Sequence, residues 1–172
     1  MTLLAQIVGL LAVATFLLSY QQKKRQNIIF WNATSRVLYI IQYLLLGALE
    51  GAVLDVLGTV SSVAAQNKHR FKNHLKFVVL GVNLVIVAVG LIFYKNIFSI
   101  FPIIGVVLHT SAFWLDKERT IRIVSFLGSP FWLVYNLVSA AYGSALGDVF
   151  TMVSIGIAIF RYDLFPKKEE TE

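Results

Sequence analysis

The chain has 172 residues, 58% of them hydrophobic and 14% charged, with a net charge of +6 and no cysteine. A soluble domain carries about 25% charged residues, so this composition excludes an ordinary soluble fold. The lack of cysteine excludes disulfides, thiolate metal sites and cysteine nucleophiles, and the three scattered histidines have no metal-ligand spacing.

Uncharged runs cover residues 1–22, 77–94, 96–115 and 123–147. A helix needs roughly 20 mostly apolar residues to cross the hydrocarbon core. The pattern predicts an all-α integral membrane protein with seven transmembrane helices. The first covers 2–20; it lacks the basic start of a signal peptide and reads as a retained span. A basic loop, 21–27, leads to the second, about 29–48. A tight turn at 49–51 opens the third, which ends near 66, and a loop at 67–76 follows. The fourth is 77–94 and the fifth 97–115, joined by Lys95-Asn96. The loop 116–122 precedes the sixth, 123–141, which Ser129-Pro130 interrupts early. A turn at 142–144 opens the seventh, which ends near 160, and 161–172 is a polar tail.

The loops after the first, third and fifth spans, with the tail, hold 13 Lys and Arg, against Lys95 alone on the other side. Positive charge stays in the cytoplasm, so this split predicts an outside N-terminus and a cytoplasmic C-terminus. The basic balance is then a topology signal with some attraction to anionic lipid headgroups, and it argues against nucleic acid as a partner.

The chain also repeats itself. A shift of 93 positions gives 11 identities in the 53 aligned pairs from Val13 to Ala65. Lys24/Lys117 and Asp55/Asp148 weigh most, because charge is scarce. Such a repeat predicts two similar units, 1–66 and 97–160, with 77–94 as a linker helix. Three spans plus one linker restore the starting side, so this 3+1+3 reading makes the halves parallel, related by an axis along the membrane normal.

Asp55 and Asp148 lead the candidate site, since a charge within a span is costly and is read as functional by default. Levelling each hairpin about its turn places Tyr43 beside Asp55 and Asn136 beside Asp148. Each pair either ties its own hairpin or joins the other in lining one central cavity that opens outward. Trp132, with Tyr39 and Tyr135, supplies aromatic faces that stack on a ligand or pack a core. Trp31 and Trp114 read as interfacial belt residues. Arg36 either snorkels to the cytoplasmic headgroups, or closes the inner end of the cavity or binds an anion there. Pro102, near Gly105, is a candidate gating bend, and Pro130 is either a second break or the harmless first turn of its span. His109 reads as a packed, hydrogen-bonded histidine.

The segments Phe101-Pro102-Ile103-Ile104-Gly105, Trp132-Leu133-Val134-Tyr135-Asn136 and Phe160-Arg161 resemble the bacterial inner-membrane YgjV family. Gly9 and Ser19-Tyr20-Gln21 fit it more loosely. The resemblance implies a fold related to the SWEET and PQ-loop small transporters and no established activity. The Pro-Gln dipeptide is missing here, as Pro102 precedes Ile103 and Pro130 precedes Phe131. The expectation is a small-molecule transporter or facilitator in the bacterial inner membrane, monomeric as a functional unit, without catalysis, cofactor or metal. Its ligand would be a small polar molecule or a cation. The alternative is a membrane receptor or interaction protein that binds a ligand without moving it.

Overall fold

A computed structural model of the chain describes residues 2–20 and 25–164. The described residues form seven α-helices and no strand: α1 (Thr2–Tyr20), α2 (Arg25–Leu46), α3 (Leu49–Gln66), α4 (Leu75–Ile92), α5 (Ile100–Trp114), α6 (Glu118–Val138) and α7 (Tyr142–Ala158). Most of the basic loop at 21–27 and the end of the tail, 165–172, lie outside the described residues.

The boundaries differ from the sequence expectation where polar residues continue a helix. α2 starts at Arg25, and α6 starts at Glu118 after an extended Lys117. The loop expected at 67–76 is largely a 3-10 turn, Lys68–His74. Another 3-10 turn, Ile97–Ser99, leads into α5; Asn96 accepts from the Phe98 N–H, and Ser99 returns a bond to the Asn96 N–H, so both exposed donors are satisfied. Among the described residues, the stretches Leu75–Ile92, Ile97–Trp114 and Arg119–Val138 are long and apolar enough to cross a membrane by length and composition. Leu3–Leu18, Thr34–Leu46 and Tyr142–Ala158 are apolar but shorter, and α3 carries Glu50 and Asp55 within it.

The outward faces are apolar. Phe77 and Ile92 on α4 are 75% and 76% exposed, and Val60, Val153 and Ile157 point out from α3 and α7. Such a surface is stable only in an apolar solvent. In α4 just Ile86 and Gly90 are buried, so this helix lies on the periphery, against α5 and α3.

Both hairpins end their first helix in the same way. The Gly47 N–H bonds the Leu44 carbonyl and the Ala48 N–H the Tyr43 carbonyl; Ala140 bonds Leu137 and Ala141 bonds Asn136. These paired bonds are a Schellman stop, which needs a left-handed residue. Gly47 provides it at φ 70°, and Ala140 at φ 55° despite its Cβ. The turns therefore centre at 47–48 and 140–141, about two residues before the sequence expectation.

α1 packs on α2 and α7, and α5 on α6 and α3. Close approach of α1 and α7 depends on glycine, because a Cβ on Gly143 would fall 2.6 Å from the backbone of Gly9. The core gathers near the hairpin turns, around Tyr43, Leu54, Ile86, Ile103, Trp132 and Tyr135. Trp114 belongs inside as well, not in a lipid-facing belt. It is 4% exposed, donates to Ser61 Oγ at 3.3 Å and meets the Phe71 ring edge-on.

Candidate functional site

A cavity of about 620 Å³ lies among the helices, lined by Arg36, Tyr39, Tyr43, Asp55, His109, Trp132, Asn136 and Asp148 among others. It has the size of a small-molecule site. Its lining continues to Phe16 and Leu17 on α1, Val63 and Ala65 on α3, Phe113 on α5, and Ser154 and Ile155 on α7. All of these lie towards the helix ends that carry the basic loops. The cavity thus extends away from the hairpin turns, opposite to the outward-opening arrangement expected from the sequence. The reason is a polar layer packed beneath the turns.

That layer is built from residues 93 positions apart. The Tyr43 hydroxyl donates to Asn136 Oδ1 at 2.8 Å, joining two positions that the repeat makes equivalent. Around it, Ser144 Oγ donates to Gln42 Oε1 at 2.7 Å, and the Gly51 N–H donates to the Tyr135 hydroxyl at 3.0 Å. Gln42 and Tyr135 are equivalent, as are Gly51 and Ser144. The second helix of each hairpin pair thus reaches the start of the third helix in the other. Tyr43, Tyr135, Gln42 and Asn136 are all buried. On the turn side, Lys95 Nζ donates to the Gly47 carbonyl at 2.9 Å and lies 3.1 Å from Glu50 Oε2, pinning the α2–α3 turn.

The four residues expected to pair within hairpins are brought together, with one change of partner. Asn136 Nδ2 donates to Asp148 Oδ2 at 2.6 Å across the α6–α7 hairpin. Tyr43 instead bonds to Asn136, and Asp55 takes Arg36. The Arg36 Nη1 donates to Asp55 Oδ1 at 3.0 Å and reaches Thr59 Oγ1 at 3.4 Å. Arg36 therefore turns inward, and the snorkelling alternative is not what the structure adopts. Trp132 stacks on Tyr43 with ring centroids 6.2 Å apart and leans on Gly105, where a Cβ would come 2.7 Å from its ring.

Pro102 does not take the role expected of it, and Pro130 takes the first of its two, a break within its helix. Pro102 is in the first turn of α5, where a missing N–H costs nothing, so it introduces no bend. Pro130 is the one inside a helix, in α6, where it cannot donate to the Phe126 carbonyl. Beside it, His109 Nε2 donates to the Ser125 carbonyl at 2.9 Å, and Ser129 Oγ donates to the same carbonyl at 3.1 Å.

Gln42 and Glu50 were not singled out in the sequence. Applying the 93-residue shift to polar residues near each turn would have found the Gln42/Tyr135 and Gly51/Ser144 set. Nothing local marks Glu50 as buried, since it sits next to a turn.

The family described as a bacterial inner membrane protein, YgjV, matches residues 3–164. The chain belongs to that family. No curated protein and no solved structure is similar enough to match.

Proposed function

We propose that this member of the YgjV family is a facilitator that passes a small solute across the bacterial inner membrane. The single observation behind the reading is the cavity closed at one end by the Tyr43–Asn136 bond. A bond between repeat-equivalent residues sits where the two halves would meet, and a layer held by this bond and two flanking ones can part there when the halves rock. The finer architecture belongs to this proposal: two parallel three-helix units, α1–α3 and α5–α7, with α4 as the linker, as in SWEET-like transporters. The reciprocal packing of α1 on α7 and of α5 on α3 supports it. The 13-to-1 distribution of Lys and Arg supports a cytoplasmic C-terminus, so the cavity of this structure faces inward.

In this reading Asp55, Asp148, Asn136, Tyr43 and Trp132 contact the solute, one chain builds the whole cavity, and no catalytic step occurs. Arg36 holds Asp55 at the inner side. Bending falls to Pro130 instead of Pro102, because only Pro130 interrupts a helix. The test is uptake by liposomes containing the purified protein, screened over small polar and charged solutes. Solute entry above protein-free liposomes, lost in Asp148→Asn, is the expected result. A receptor would bind a solute and show no entry.

A further inference from the structure

The two repeated carboxylates differ in their partners. Asp55 faces the guanidinium of Arg36 at 3.0 Å, whereas Asp148 faces the neutral amide of Asn136 at 2.6 Å. The position equivalent to Arg36 in the second unit is Ser129, which supplies no charge. The ionisable acids and bases in the lining besides tyrosine are Arg36, Asp55, His109 and Asp148. Arg36 is engaged by Asp55. His109 is bonded to a carbonyl through Nε2, a bond that the neutral ring satisfies. The cavity therefore holds an acid at Asp148 that no lining cation is placed to pair with. Its walls include Phe16, Tyr39, Tyr43, Phe113, Trp132 and Phe150.

We infer that the cavity binds an organic cation, a protonated or quaternary amine, with Asp148 as its counter-ion and the aromatic residues as its walls. Aromatic faces attract ammonium groups through their quadrupole, and the attraction grows where water is excluded. A carboxyl group away from bulk water either takes up a proton or ionises beside a cation, and an ammonium solute supplies that cation. An anion would meet Asp148 with Arg36 already engaged. A neutral solute would gain no charge attraction from Asp148. This inference rests on the cavity of the proposed facilitator, and it names the class of solute.

The test is the thermal stability of the full chain in detergent, with choline, benzyltrimethylammonium and 3,3-dimethylbutan-1-ol, the uncharged isostere of choline. Sodium chloride at equal concentration is the reference. A ligand that binds only the folded state raises its melting temperature with concentration. The expected result is stabilisation by at least one ammonium compound, absent with the isostere and weakened at least tenfold in apparent affinity by Asp148→Asn. Thr151→Lys is the second variant, for use if the first does not fold. It places an ammonium one helical turn from Asp148 and removes the need for an external cation, so it too abolishes the effect. Equal shifts from the isostere or from sodium chloride, shifts retained in both variants, or no shift from either ammonium compound would overturn the inference. Ammonium binding without uptake into liposomes would retain the inference and remove the facilitator reading. Uptake of neutral solutes alone would do the reverse.

Discussion

The segments α1–α3 and α5–α7 use one backbone plan with different side chains. The backbone is duplicated closely: left-handed residues at Gly47 and Ala140, the same paired turn bonds, and Ala52 and Ala145 bonding back to Ala48 and Ala141. The side chains diverge at the positions that face the cavity. Arg36 stands against Ser129, Tyr39 against Trp132 and Tyr43 against Asn136, while Asp55 and Asp148 coincide. Backbone geometry is kept where both segments make the same tight turn. Side chains differ where the two segments meet, because two identical groups facing each other cannot be donor and acceptor at once unless each carries both. Tyr43 and Asn136 resolve this by becoming donor and acceptor. The Arg36–Asp55 pair gives one aspartate a cation, whereas Asp148 has the neutral Asn136 amide.

The sharpest way to break this asymmetry is to equalise the aspartates. Asp148→Asn is expected to abolish uptake by proteoliposomes, by at least tenfold, while the protein still elutes as a single species. Asp55→Asn alone leaves Arg36 without its partner.

Arg36→Gln gives the next effect. Removing one member of a buried ion pair costs about 3–5 kcal/mol, and this pair is partly open to the cavity, so about 2 kcal/mol is expected. Denaturation of the single variants and of Arg36→Gln with Asp55→Asn makes a double-mutant cycle, and the double variant should recover most of the loss. No recovery would mean that Arg36 stabilises through packing on Thr59 and its neighbours.

Tyr43→Phe leaves Asn136 Oδ1 without its donor and is expected to destabilise by roughly 1–2 kcal/mol. It should also loosen closure at the turn end, seen as faster labelling of cavity cysteines from that side. The protein has no native cysteine to interfere.

The turns allow a subtler comparison. A residue with a Cβ at positive φ costs roughly 1 kcal/mol, so Ala140→Gly should stabilise by up to that amount, and Gly47→Ala should destabilise by a similar amount. Thermal melts of the two variants should move in opposite directions.

The smallest effect concerns pH. Arg122 donates to Asp163 through Nε and Nη2 at 2.9 and 2.7 Å, and these bonds hold the Asp163 carboxyl below its ordinary range. A depressed carboxyl contributes stability that is fully present above its unfolded value, about pH 4, and is lost as pH falls below that. The contact ties the π-helical turn Ile159–Leu164 to the start of α6. Proteolysis of the C-terminal end should therefore quicken below about pH 4 in the native protein, and Asp163→Asn should show the quicker rate at neutral pH.

The helical class was legible from composition, and helix positions from the uncharged runs, because burial in an apolar solvent leaves few other choices. Starts and ends were less legible. Arg25 and Glu118 begin helices that hydropathy alone cuts short, since a helix can run past the apolar zone. The repeat pointed to the aspartates and to Asn136 and Tyr43. It did not reveal their partners, because equivalence in sequence says which residues correspond and not which ones touch. Tyr43 meeting its own equivalent, rather than Asp55, is a property of where the two segments pack. The direction of the cavity was missed for the same reason: the closing layer uses Gln42, Ser144 and the Gly51 N–H, groups that appear ordinary until they are brought across from the other segment.

The most direct test of the account is two-sided labelling of Thr151→Cys, a cavity position one turn beyond Asp148. A membrane-impermeant thiol reagent is applied to oriented vesicles, to each face in turn. The account predicts modification from the face bearing the basic loops, and also from the opposite face at a rate that Tyr43→Phe increases. Modification from the basic-loop face alone, in both backgrounds, would show that the Tyr43–Asn136 layer never opens and would contradict passage through the cavity.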